Sequence, residues 1–227
     1  MVSSRTTVHR WERAQKAEES YWLVTKKSWT VALTKWYWQE KLAYGFNLDY
    51  SFFTGKDVLE VGCGPSGIIY HLDEVKTSVG LEPLDLNNLA RKNWKKTSVA
   101  KGIGEKIPFQ DNSFDVILSF NSIDHSIDPK KVIEEISRVL RHGGNFLLSL
   151  HILRDQFNLL KSILNKFDEP HPYHLTHKEV LRLLKDNSFY LNNRKHDKGI
   201  GEPNDSLKKT NANYMMDRLG LCLVKKN

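Results

Sequence analysis

The sequence has no run of about eighteen or more apolar residues, so no membrane span is expected. Its first stretch, Met1 to Trp22, is studded with charge where a secretory signal would carry an apolar core. Cysteine is almost missing: Cys63 and Cys222 are the only two in 227 residues. That excludes a disulfide scaffold and a cysteine-built zinc site, and it suits a reducing cytosol, so a cytoplasmic protein is expected. No internal repeat or low-complexity tract occurs, and no dense Lys/Arg run. Proline and glycine are absent from Arg10 to Tyr44. This leaves helix, broken in two, as the reading of that segment.

The charge that is present is uneven. The net charge is +7, yet residues 57–152 hold 11 Lys/Arg against 13 Asp/Glu. The basic excess lies in the flanks, with 9 against 5 in residues 1–56 and 14 against 9 in residues 153–227. Such flanks suit an anionic substrate, a nucleic acid, a membrane surface or simply a solvated surface. Five of the six tryptophans fall in residues 1–55, and Trp22, Trp29 and Trp36 recur every seven residues, a helical stripe for packing on the main domain. Residues 1–55 are therefore expected to form a helical cap and residues 56–227 a catalytic domain. Residues 151–176 would be a helical lid insertion.

Residues 56–152 alternate short apolar runs with helical stretches. Strands are expected at Asp57–Val61, Thr77–Leu81, Ser98–Gly102, Asp115–Ser119 and Asn145–Leu150. Helices are expected at Ser66–Asp73, Leu84–Trp94 and Pro129–Leu140, the last capped by Asp128 and stopped by Gly143-Gly144. Beyond these, Arg154–Phe167 and Thr176–Lys185 read as helices, and Phe189–His196 and Leu219–Val224 as strands. Lys198 to Asn213 is a long polar connection. The alternation predicts an α/β fold, a Rossmann-like doubly wound seven-stranded sheet: five parallel strands, then a final hairpin with one antiparallel strand.

The first strand runs into Gly62-Cys63-Gly64-Pro65-Ser66-Gly67, where glycines admit positive φ and close approach of a ligand. Read bare, this is G-x-G-x-x-G with Glu82 twenty residues on, which also fits a nicotinamide dinucleotide. Glu60 separates the two readings. A carboxylate at the end of that strand is a poor neighbour for a pyrophosphate and a good one for a ligand carrying an ammonium and a sulfonium. Glu82, ending the second strand, is placed to accept ribose hydroxyls.

Further motifs follow in order: Glu105-Lys106-Ile107-Pro108-Phe109, Ser113-Phe114-Asp115, and Val139-Leu140-Arg141-His142-Gly143-Gly144. With Glu60 to Gly64 and Glu82, this set resembles the type 11 branch of class I S-adenosylmethionine-dependent methyltransferases over residues 56–152. The resemblance implies S-adenosylmethionine as cofactor and S-adenosylhomocysteine as product. It implies that Gly62, Cys63 and Gly64 line the methionine part, that Glu82 holds the ribose, and that Pro83, Ile103 and Gly104 flank the adenine. Asn121 would lie beside the methionine moiety. Ile103 stands where the family has an Asp that bonds the adenine amine, so adenine contact here would be apolar plus backbone.

For the acceptor, an oxygen nucleophile calls for a base near neutral pKa, and histidine fits. His125, just after the fourth strand, and His174, within His171-Pro172-Tyr173-His174-Leu175-Thr176-His177, are the candidates. No His-x3-His pair sits securely on a helix, so no metal is expected. The Asn-Pro-Pro-Tyr or Asp-Pro-Pro-Tyr segment typical of enzymes that amino-methylate adenine or glutamine does not occur. The expected acceptor is a small molecule or a sugar, methylated at oxygen. The alternatives are an RNA (tRNA) methyltransferase, a nicotinamide-dependent oxidoreductase, and a cofactor-binding protein without turnover.

Overall fold

The structure, a computed structural model, describes residues 4–25, 30–87, 89, 97–167, 171–197 and 215–226. Seven strands form one sheet: β1 (Asp57–Val61), β2 (Thr77–Glu82), β3 (Ser98–Lys101), β4 (Phe114–Phe120), β5 (Leu140–Leu153), β6 (Phe189–Asp197) and β7 (Met216–Lys225). Their order is β3-β2-β1-β4-β5-β7-β6. The first five are mutually parallel, and β7 runs antiparallel to both β5 and β6. This is the expected doubly wound sheet with its closing hairpin. Every residue of β1 is buried, as befits a central parallel strand covered on both faces. From β1 the chain winds outward to β2 and β3, then returns to β4 on the other side. The carboxyl ends of β1 and β4 therefore flank the point where strand order reverses, where ligands bind in such sheets.

Alternate strand residues feed two cores. Leu59 and Val61 of β1 and Phe146, Leu148 and Leu150 of β5 meet α3 (Pro129–Val139) and α5 (His177–Asp186) through Val132, Ile133, Ile136, Val180 and Leu184. On the other face Val58, Val116, Leu118 and Leu147 meet Trp38, Leu42 and Phe46 of α2 (Val31–Phe46). Period-two alternation in the strands and i, i+4 spacing in α2 produce this division. The caps read from the sequence are present. Asp128 accepts the amides of Lys130 and Lys131, and Thr176 and Glu179 form a capping box on α5.

Several local expectations are corrected. Ser66–Asp73 is two 3-10 turns, Gly64–Ser66 and Ile68–His71, because Pro65, Gly67 and the β-branched pair Ile68-Ile69 disfavour an α-helix. Residues 83–87 form turns where helix was expected, Asn87 N–H bonding Asp85 Oδ1; most of the remainder of that segment lies outside the described residues. Arg154–Phe167 is a 3-10 stretch, Asp155–Leu160, followed by the short α4 (Lys161–Phe167), and neither buries a residue. Gly143, at φ 75, bends the chain inside a longer β5, after α3 has already ended at Val139. The tryptophan stripe does not hold either. Trp22 lies on α1 (Ser4–Thr25) and Trp36 on α2 is 51% exposed, whereas Trp38 is the buried one. Its Nε1–H donates to the Ser66 carbonyl at 2.8 Å and its ring stacks on Phe120. Trp29 and the connection 198–213 lie outside the described residues. Residues on both sides of position 56, from α2 and from β1, share the second core.

Candidate cofactor and acceptor site

After β1 the backbone turns through Gly62 at φ 72 and Gly64 at φ 51. The Gly62 and Cys63 amides donate to the Leu81 carbonyl at 2.8 and 3.4 Å, locking the loop to β2. A Cβ on Gly62 would stand 2.3 Å from Ser122 Cβ. Ser122 is itself fixed, its Oγ donating to the Val61 carbonyl at 2.8 Å and pairing with Ser119 Oγ at 2.7 Å. The loop after β1 and the segment after β4 thus meet at backbone distance, possible only with glycine there. Gly62→Ala is expected to cost about 1–3 kcal/mol through overpacking, before any cost of its positive φ, and to lower the urea midpoint accordingly. An unchanged midpoint would show that this close approach does not exist.

Two carboxylates sit at the strand ends beneath the loop. Glu60 is 1% exposed and accepts the Ile69 amide at 3.2 Å. Glu82 is 5% exposed, with Oε2 accepting from Gly64 N–H at 2.8 Å and Oε1 from Leu84 N–H at 3.0 Å. Burial outweighs these bonds and pushes Glu60 up to about 8 and Glu82 up to about 7. Neither is in an ion pair among the described residues. Asn121 completes the edge. It adopts φ 50, its amide donates to the Ser149 carbonyl at 2.7 Å, and its Oδ1 is buried with no hydrogen-bond partner.

The remaining expected cofactor residues take varied positions. Cys63 turns its Sγ inward against Gly80, where a Cβ would come within 2.6 Å, so only its backbone faces the loop. Pro83 and Ile103 are half-buried just past β2 and β3. Gly104 lies against Val132, with Cβ space limited to 3.0 Å. Glu105 serves structure, its Oε1 accepting the amides of Ile127 and Asp128 ahead of α3.

α1 lies across this edge. The Trp22 indole stands 3.5 Å from the Cβ position of Gly64, and its Nε1–H donates to Glu18 Oε1 at 2.8 Å. Glu18 Oε2 is 3.8 Å from His125 Nδ1, and Arg10 donates to the Pro172 carbonyl. Glycine loop, α1 and the 171–175 segment therefore enclose one region. His125 sits in it, on a 3-10 turn (Ile123–His125), with Nδ1 buried and lacking a hydrogen-bond partner. His174 is placed differently: it is 3% exposed, and both its amide and its Nδ1 engage Asn165 Oδ1 of α4, at 2.8 and 2.9 Å. The structure adds Asp124, which sequence spacing did not mark: it is 2% exposed with an unpartnered Oδ1. From the histidine run it brings in His171, whose ring lies 4.7 Å from that of His125. His151 of β5 faces the same group, and burial lowers its pKa. Residues 46 positions apart meet only through the fold, so no local pattern could have announced them.

The donor set suits a nucleoside bearing positive charge. Two buried acids held partly protonated gain from a cation, and the orphaned Asn121 oxygen can accept from an ammonium. An anionic pyrophosphate would meet Glu60 and Glu82 as repulsion. Sheet order, glycine loop and strand-end acids define a class I, Rossmann-like methyltransferase frame. The comparisons agree. Residues 59–148 match the family model described as "Methyltransferase domain". An uncharacterized protein of Methanocaldococcus jannaschii is 34% identical over 58% of this chain and 63% of its own length. The phthiotriol/phenolphthiotriol dimycocerosates methyltransferase of Mycobacterium tuberculosis is 36% identical over 40% of this chain and 36% of its own. The YcgJ protein of Bacillus subtilis shares the fold, with a TM-score of 0.61 at 15% identity, covering 78% of this chain and 96% of that one. Residues 59–148 are thus similar to the methyltransferase domain of S-adenosylmethionine-dependent methyltransferases. The chain's matches span less than two thirds of the length of these curated relatives.

Proposed function

We propose that the protein transfers the methyl group of S-adenosylmethionine to an oxygen of a small-molecule or sugar acceptor. The observation that carries the cofactor half is the pair of buried acids Glu60 and Glu82, with the buried Asn121 Oδ1, around a loop with two positive-φ glycines. Bound S-adenosylmethionine would supply an electrophilic methyl group on a sulfonium. Glu82 would hold the ribose, Asn121 Oδ1 would accept from the ammonium, and Glu60 would balance the positive charge from within the sheet. Trp22 and Glu18 on α1 would keep water from the reacting atoms. Displacement at a sulfonium draws much of its rate from such positioning.

The acceptor half rests on enclosure. His125 and its neighbours lie beneath α1 and the 171–175 segment, which favours a small acceptor over a long polymer. His174, engaged with Asn165, serves to tie α4 to this wall, and contact with the acceptor falls to His125. The basic flanks favour RNA as the second reading. The test is transfer of a radiolabelled methyl group to a panel of hydroxylated small molecules and sugars, with bulk tRNA alongside. Label entering a small hydroxylated acceptor is the expected result. Label entering tRNA alone, with a steep loss as salt rises, would replace the small-molecule reading by the RNA one.

A further inference from the structure

Beyond the cofactor loop, the end of β4 holds a group of donors for which neither a glycine loop nor a ribose has use. Asp124, His125 and His171 each offer one ligand atom, and these atoms all lie within 4.8 Å of one another. Donors about 2.0–2.2 Å from a shared tetrahedral ion stand about 3.3–3.6 Å apart, so the group closes on an ion if its side chains draw together by up to about an ångström. Two of the three present a buried atom with no hydrogen-bond partner. Asp124 is 2% exposed and its Oδ1 has no hydrogen-bond partner, and His125 Nδ1 is buried in the same condition. Buried polar atoms left unpaired are rare and call for a partner.

We propose that Asp124, His125 and His171 form a binding site for a divalent transition-metal ion, and that the ion holds an oxygen of the methyl acceptor. One carboxylate and two imidazoles are a donor set for Zn2+, Fe2+, Co2+ or Mn2+, harder than a thiolate site and softer than an all-oxygen one. Three protein donors leave coordination positions open for a ligand from outside. The position fits the role. Glu18 reaches Trp22 on one side and His125 on the other, so a single side chain of α1 spans from the glycine loop to this cluster. His125 and Asp124 come from the segment following Asn121, and His171 from the wall that Arg10 of α1 grips through Pro172. An acceptor oxygen on the ion would therefore sit between the cofactor edge and the wall. The acceptor class narrows to molecules with a hydroxyl or carboxylate able to ligate a metal. This role rests on the methyl-transfer reading, whereas the binding site does not.

The experiment is titration of the untagged full-length protein with Co2+, read by visible absorption and by metal content after gel filtration. S-adenosylhomocysteine binding is measured on the same samples. One Co2+ per chain is expected, displaced by Zn2+. His125→Ala and His171→Ala should each weaken uptake at least tenfold, and His142→Ala, exposed near the start of β5, should leave it unchanged. Where an alanine variant loses its fold, Asp124→Asn keeps the shape and removes the charge. The Cu2+ form of the wild type should show two nitrogen ligands by electron paramagnetic resonance. No stoichiometric uptake by protein that binds S-adenosylhomocysteine would overturn the metal site and leave the methyltransferase reading standing. Uptake without S-adenosylhomocysteine binding would do the reverse. Uptake indifferent to all three site variants, or a Cu2+ centre with no nitrogen ligand, would also overturn it.

Discussion

Glu82→Ala is expected to weaken S-adenosylhomocysteine binding by about 1.5–3 kcal/mol, the range for hydrogen bonds to a charged group, or roughly ten- to a hundredfold. Calorimetric titration reads it. Two separate losses feed that figure. The carboxylate that would hold the ribose is removed, and so is the acceptor for the Gly64 and Leu84 amides, which fixes the glycine loop relative to β2. Glu82→Gln separates them. A glutamine keeps one amide bond through its carbonyl and loses the charge, so it should fall between wild type and alanine. Because the acid titrates near 7 in the free protein, neither variant should lower the stability of the ligand-free chain as much as it lowers affinity. Equal affinity in wild type and Glu82→Ala, with both folded, would remove Glu82 from the site.

How much of this was legible beforehand depended on the range over which each feature is written. The strands, the caps at Asp128 and Thr176, the glycine turn and the acids Glu60 and Glu82 are local patterns, and each appears where the sequence places it. The helix expected after β1 failed locally as well, to a competing signal: Pro65, Gly67 and two isoleucines outweigh the apolar content of Ser66–Asp73. The tryptophan stripe failed because a seven-residue repeat has meaning only along one uninterrupted helix, and α1 and α2 are separate. What could not be read was the cluster around His125. Asp124 precedes it directly, but His151 arrives along β5 and His171 on the wall beyond α4, and only the parallel pairing of β4 with β5 brings them together. His174 drew attention by its position in a histidine-rich run. Its ring instead engages Asn165, a partner that no spacing rule would pair with it.

Affinity for S-adenosylmethionine should rise steeply with pH between about 6 and 8. Glu60 and Glu82 titrate at about 8 and about 7 in the ligand-free protein, above their ordinary value of 4.5, because burial penalises their charged forms. The folded chain therefore holds more protons than the unfolded chain across that window. The stability these groups contribute is complete below about 4.5 and is lost as pH rises through about 7 and then about 8. A bound cation reverses the preference, because sulfonium and ammonium stabilise ionised acids. Binding at low pH must then expel protons that are already absent at high pH. If both acids ionise in the complex, affinity gains about five-hundredfold from about pH 6 to about pH 8. Two observables move in opposite directions: the melting temperature of the free protein falls over this range while the increment from ligand grows. Proton release on binding, read as a dependence of calorimetric heat on buffer ionisation enthalpy, gives a third. Glu60→Gln should flatten the upper part of the affinity curve, since it removes the acid with the higher pKa, and it should make the free protein less sensitive to pH. Glu82 would leave a residual slope in that variant, centred near 7. An affinity that is flat or falling over this range in the wild type would mean that the two acids stay protonated under the ligand. Charge balance by Glu60 and Glu82 would then not be the reason this loop accepts a sulfonium.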